Sequence, residues 1–157
     1  MIPPPLRLNK DWLSFFSLLA GLWSLAFFLL ASFALLKVYL YQSQHPELVY
    51  GKTLQTPPMM LIDLIIASVP AWLGVAAALL YFIYGCVTFR GPAPFLGFCT
   101  ASLDLLARGL FAAKFGAEIF KSAATPGSQA LVTAPFLLIA LLSVMLLIAS
   151  LQPRRNL

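Results

Sequence analysis

Apolar residues in this chain are gathered into four long blocks that short polar segments separate. The blocks cover residues 12–41, 58–89, 94–121 and 130–151. A helix needs ~20 apolar residues to cross the hydrocarbon core of a membrane, and each block is long enough. Because lipid offers no partners to backbone amides and carbonyls, such segments are expected to be α-helices. The pattern predicts an all-α integral membrane bundle of four transmembrane helices, as one domain over residues 1–157.

The connections between the blocks predict how the helices are arranged. Residues 42–57 form the longest polar segment and contain several helix breakers, while residues 122–130 form a second loop. Residues 90–93 are so few that the second and third helices must form an antiparallel hairpin. In the second block, Ala67, Ala71, Gly74 and Ala78 share one helix face. Small residues at this spacing allow two membrane helices to approach closely.

The composition supports the membrane prediction and is not that of a soluble domain. Hydrophobic residues make up 61% of the chain and charged residues only 10%. Soluble domains usually contain about 25% charged residues, which they need to cover their surface. The chain is therefore expected to contact the lipid bilayer.

The net charge of +5 predicts an orientation in the membrane. Asp63, Asp104 and Glu118 balance Arg108, Lys114 and Lys121, so the excess lies in the ends and loops and at Lys37 near the end of the first block. One side of the predicted bundle carries five basic residues: Arg7, Lys10, Arg90, Arg154 and Arg155. The other side carries three: Lys37, Lys52 and Lys121. Since cytoplasmic loops carry an excess of Lys and Arg, both termini are predicted to face the cytoplasm or inner compartment.

The third block is unusual because it carries four charges along one face. On a helical wheel, Asp104, Arg108, Lys114 and Glu118 fall within an arc of about 120°. A charge at the bilayer centre costs roughly 2.5–3.5 kcal/mol, so this stripe is expected to point into protein rather than lipid. Asp104 and Arg108 have the favourable i,i+4 order, with the acid nearer the N-terminus.

Asp63 in the second block adds one more intramembrane charge. The short hairpin brings Asp63 to the level of Lys114 and Lys121, so Asp63 is expected to pair with one of these lysines. The candidate binding or assembly residues are Asp63, Asp104, Arg108, Lys114, Glu118 and Lys121.

No motif in the sequence supports catalysis or a cofactor. His45 is the only histidine, so a metal centre or a bis-histidine haem lacks the necessary ligands. Phosphate-binding, zinc-protease and nucleophile-elbow motifs do not occur in the sequence. A basic cluster with interleaved aromatic residues, which would indicate nucleic-acid binding, does not occur either. We therefore expect no enzyme activity, no metal, no cofactor and no nucleic-acid partner.

Two interpretations of the charged stripe remain. In the favoured one, the chain is a non-catalytic subunit or scaffold of a larger membrane complex, and the charged face of the third helix docks another membrane subunit or holds its own bundle. In the alternative, the chain is a small oligomeric transporter or channel subunit, in which Asp104, Arg108, Lys114 and Glu118 form a polar pathway. A membrane enzyme for a lipid-like substrate is a third possibility without a supporting motif. A bacterial inner membrane or an organelle membrane is the expected location.

Overall fold

The computed structural model describes residues 10–45, 57–122 and 126–152, and the side chains of residues 11–45, 61–117, 127 and 129–152. Four α-helices account for nearly all of these residues: α1 (Lys10–Gln44), α2 (Pro57–Arg90), α3 (Pro94–Ser122) and α4 (Pro126–Leu151). Each of the four is long and apolar enough to cross a membrane. The predicted all-α bundle of four transmembrane helices is therefore confirmed.

The helices are slightly longer than the apolar blocks that predicted them. α1 begins two residues before the predicted start and ends three residues beyond the predicted end. α4 begins at Pro126, inside the segment that was predicted to be a loop. A proline suits the first turn of a helix because its missing N–H would have no partner there. The helices therefore include polar residues at their ends, beyond the apolar blocks.

Helices α2 and α3 form the predicted antiparallel hairpin. The turn consists of residues 91–93, and the Gly91 amide donates to the Val87 carbonyl at 3.1 Å. Gly97 of α3 lies against Tyr84 of α2, where an added Cβ would come within 3.0 Å of the tyrosine ring. We call this end of the bundle the turn end; α1 begins there and α4 ends there.

Helices α1 and α2 pack through the small residues that the sequence placed on one face of α2. Ala71 and Ala78 are completely buried, and a Cβ on Gly74 would overlap the ring of Phe28 in α1. From the other helix, Gly21 of α1 packs against the Ala78 carbonyl of α2, which would be 3.1 Å from an added Cβ. The predicted close approach of a neighbouring helix to this face is confirmed.

The remaining helices complete an incompletely closed bundle. In the described part of the chain, α2 packs closely on α3 and α3 on α4, whereas α1 and α4 are not a closely packed pair. Two apolar clusters fill the interior. One lies towards the turn end and includes Tyr84 and Leu146; the other, around Phe28 and Phe111, lies farther from it. The outer surface exposes many large apolar side chains, which fits contact with lipid.

Candidate functional site

An ion pair on α3 occupies the space between the two apolar clusters. Asp104 and Arg108 are one helical turn apart, and Arg108 Nε donates to Asp104 Oδ2 at 2.8 Å. Their side chains are 0% and 2% exposed, respectively. The i,i+4 spacing brings the two side chains together without help from another helix. Both residues lie near the middle of α3, so the pair is at membrane depth.

Each of the other three helices contributes one hydroxyl group around this pair. Ser143 of α4 donates from Oγ to Asp104 Oδ2 at 2.6 Å, and it is itself hydrogen-bonded to the Tyr81 hydroxyl of α2. Arg108 Nη2 donates to Ser24 Oγ of α1. We call Ser24, Tyr81, Asp104, Arg108 and Ser143 the polar cluster. It connects all four helices through one set of hydrogen bonds.

Aromatic rings cover the guanidinium group of Arg108 on the side away from the turn end. The Arg108 guanidinium carbon lies 4.9 Å from the ring centroid of Phe136 and 5.6 Å from that of Phe28. The negative faces of aromatic rings attract a cation, and the attraction is greater where water is excluded. Asp104 and two phenyl rings therefore share the stabilisation of this buried charge.

Two polar atoms of the polar cluster have no hydrogen-bond partner. Asp104 Oδ1 and Arg108 Nη1 are both buried and unpaired within the described structure. A buried group that loses its water without gaining a partner costs about 1–3 kcal/mol, and more if it is charged. Such groups are uncommon in native proteins and mark a place where strain, water or function has to be considered.

Lys114 departs from the prediction that the whole charged stripe points into protein. The buried residues of α3 near the polar cluster fall within about 60° on either side of Asp104 on a helical wheel. Lys114 lies at about −80°, beyond the edge of this arc, and is exposed. Its Nζ lies 6.0 Å from the ring centroid of Phe115. Of the stripe residues whose side chains the structure describes, Asp104 and Arg108 face the interior and Lys114 does not.

The expected pairing of Asp63 with Lys114 does not form. Asp63 is exposed near the start of α2, and Asp104–Arg108 is the ion pair found between described side chains. The short hairpin brought these residues to a similar level, but their helices turn both side chains outward. The side chains of Glu118 and Lys121 lie outside the described set, so the pairing of Asp63 with Lys121 stays a prediction.

The three hydroxyl-bearing residues of the polar cluster were not among the residues predicted from the sequence. Ser24, Tyr81 and Ser143 stand in otherwise apolar blocks, at depths similar to that of Asp104. A hydroxyl group at membrane depth needs a hydrogen-bond partner, so isolated serines and tyrosines were an available signal. The described residues bring together no group of three or more histidine, cysteine, aspartate or glutamate side chains that could hold a metal ion.

Among the described residues, three cavities lie near the polar cluster, and their linings are mainly apolar. The largest, about 450 Å³, lies between α1 and α4; one of about 220 Å³ lies at the turn end, and one of about 70 Å³ lies beside Phe111. Neither Asp104 nor Arg108 lines any of the three. The fold and site thus define a four-helix membrane protein with a polar cluster at its centre. No protein-family model, curated protein or solved structure matches this chain.

Proposed function

We propose that this chain is a non-catalytic membrane subunit or scaffold of a larger membrane complex. The polar cluster is the observation that supports it. The two charges of Asp104 and Arg108 bond to hydroxyl groups of α1 and α4, and Tyr81 links α2 to the same network. Charges used in this way hold helices in a defined arrangement, which a scaffold requires. An arrangement for chemistry would instead direct them at a cavity.

The docking surface would be the exposed part of the charged face of α3. Lys114 contacts no carboxylate among the described side chains, although it lies within a membrane-spanning helix. Glu118 and Lys121 follow it in the sequence of the same helix. Asp63 adds an exposed charge of opposite sign on α2. A partner helix with complementary charges would neutralise these groups where lipid cannot.

A comparison of two lysine variants tests the docking surface. Lys114→Leu should cause the loss of the membrane partners that co-purify in mild detergent, because it removes the exposed intramembrane cation. Lys37→Leu is the matched control, since Lys37 is also exposed and its Nζ lies 5.1 Å from the ring centroid of Phe33. Mass spectrometry of the purified material reports the partners and their stoichiometry. Equal recovery of partners with both variants, or no partner with the unaltered chain, would rule out this docking surface.

A transporter or channel subunit is the second candidate, and the two unpaired atoms of the polar cluster favour it. Asp104 Oδ1 and Arg108 Nη1 could serve a polar species that crosses the bundle, since both are buried at membrane depth without partners. Four helices leave little space for a pathway, so this function would require an oligomer. The test is ion or proton flux in liposomes. Asp104→Asn should abolish flux, whereas Asp63→Asn, at an exposed carboxylate, should preserve it.

A further inference from the structure

An apolar groove separates the first and last helices of the bundle. α1 and α4 are not closely packed, and the cavity of about 450 Å³ lies between them. Phe16 and Trp23 line it from α1, and residues between Pro135 and Met145 line it from α4. Since these helices span a membrane, the groove opens to hydrocarbon rather than to water.

The length and direction of the groove match those of one lipid acyl chain. From Pro135 to Met145 the groove follows α4 for about 15 Å, at 1.5 Å per residue. This length is about half of the ~30 Å hydrocarbon thickness of a bilayer. The groove also runs along the helix axis, and is therefore nearly parallel to the acyl chains of surrounding lipids.

The groove has a volume of about 450 Å³. Its volume falls within the range of about 300–1,000 Å³ that is common for small-molecule pockets. A narrow flexible chain fits this space.

A second cavity adjoins the groove on the side of the turn end. The cavity of about 220 Å³ there shares Leu142 and Met145 with the groove. Its lining includes Thr88, Pro92 and Ser150, which belong to or lie near the helix ends. Leu142 and Met145 border both cavities, so the turn end lies directly beyond the groove along α4.

The turn end carries the positive charge that would attract an anionic headgroup. Arg90 is exposed at the last position of α2, and Lys10 is the first residue of α1. A basic residue near a membrane surface attracts anionic lipid, and the predicted orientation places this end in the leaflet that contains such lipids.

From these observations we propose that an anionic glycerophospholipid binds between α1 and α4. One acyl chain occupies the groove between the two helices, and the phosphate headgroup lies at the basic turn end. This site is separate from the polar cluster and from the exposed charges of the proposed docking surface.

Fluorescence quenching by brominated lipid tests the site with the tryptophans that the chain already contains. Trp23 lines the groove, whereas Trp72 is exposed on α2 and away from it. Two single-tryptophan proteins, Trp12→Phe/Trp72→Phe and Trp12→Phe/Trp23→Phe, are reconstituted in phosphatidylcholine vesicles. Each is titrated with brominated phosphatidylglycerol and, separately, with brominated phosphatidylcholine. Quenching also depends on how deep a tryptophan lies in the membrane, so the two lipids are compared at the same tryptophan.

We expect Trp23 to be half quenched at a roughly fivefold lower mole fraction of brominated phosphatidylglycerol than of brominated phosphatidylcholine, as one basic contact would produce. Trp72 should respond equally to both. Arg90→Gln should reduce the preference for phosphatidylglycerol at Trp23, and Lys37→Gln, at the opposite end, should leave it unchanged.

Equal quenching of Trp23 by the two lipids would overturn the proposal, because only bulk lipid would then fill the groove. An absence of quenching would overturn it too, because protein would then cover the groove.

Discussion

Arg108 is the residue with the most demanding environment in the described part of the chain. It carries its charge near the middle of α3 and is 2% exposed. One carboxylate oxygen, one hydroxyl group and two aromatic rings stabilise the guanidinium group. Removal of its charge would leave the Asp104 carboxylate buried without a counterion. The energetic role of the polar cluster can therefore be measured through these two residues.

Arg108→Leu should destabilise the bundle by about 3–5 kcal/mol, since it leaves an uncompensated charge in a medium of low dielectric constant. The double variant Asp104→Leu/Arg108→Leu should recover most of this loss, because apolar residues of similar volume often replace a buried ion pair at little cost. Ser143 would keep a bond, since its hydroxyl already lies 3.1 Å from the Ile139 carbonyl.

The loss is measured by unfolding the purified variants in mixed micelles and following helix content by circular dichroism. Lys37→Leu provides the control for loss of an exposed cation. An Arg108→Leu protein as stable as the control would contradict the burial of the ion pair. A double variant less stable than Arg108→Leu would instead show that Asp104 stabilises the bundle even without its counterion.

At the scale of helices, the close contact between α1 and α2 depends on glycine, which has no side chain to keep the helices apart. Gly74 lies against the Phe28 ring, whereas an added Cβ at Gly109 of α3 would have no atom within 4 Å. The two glycines both belong to helices but differ in their surroundings. They therefore separate the effect of close packing from the intrinsic cost of glycine in a helix.

Gly74→Ala should destabilise the bundle by about 1–3 kcal/mol, because an extra methyl group forces the Phe28 ring or the helices apart. Gly109→Ala should be neutral or stabilising by up to about 1 kcal/mol, because alanine favours helix more than glycine does. Unfolding in mixed micelles measures both. If the two substitutions had equal effects, close approach at Gly74 would not be what holds α1 and α2 together.

The sequence predicted the helices well but predicted their inward faces only in part. Length and apolar content are properties of one segment, so the four spans and the small-residue face of α2 were predictable. α1 and α4 are apolar nearly all round, so their hydropathy gives no indication of which side faces the interior. The bonds from Ser24, Tyr81 and Ser143 depend on how neighbouring helices rotate. The same rotation turns Lys114 outward, although it lies only just outside the buried arc.

At the scale of the whole molecule, basic residues are distributed unequally between the two ends. The turn end has Arg90 at the last position of α2 and Lys10 at the first position of α1, with three further arginines in the terminal segments. The opposite end has fewer basic residues, among them Lys37. This asymmetry predicts that the turn end faces the cytoplasm or inner compartment. The orientation also decides which leaflet surrounds the proposed lipid site.

Two introduced cysteines test this orientation in cells that express the chain. Cys86 and Cys99 are first replaced by alanine; neither forms a disulfide. Ser43→Cys then places a thiol at an exposed position at the end opposite the turn, and Gly91→Cys places one in the turn, where a Cβ meets no atom within 4 Å. A maleimide that cannot cross membranes should label Ser43→Cys in intact cells and Gly91→Cys only after permeabilisation. The opposite pattern would mean that the excess of basic residues does not determine the orientation, and the lipid site would then belong to the outer leaflet.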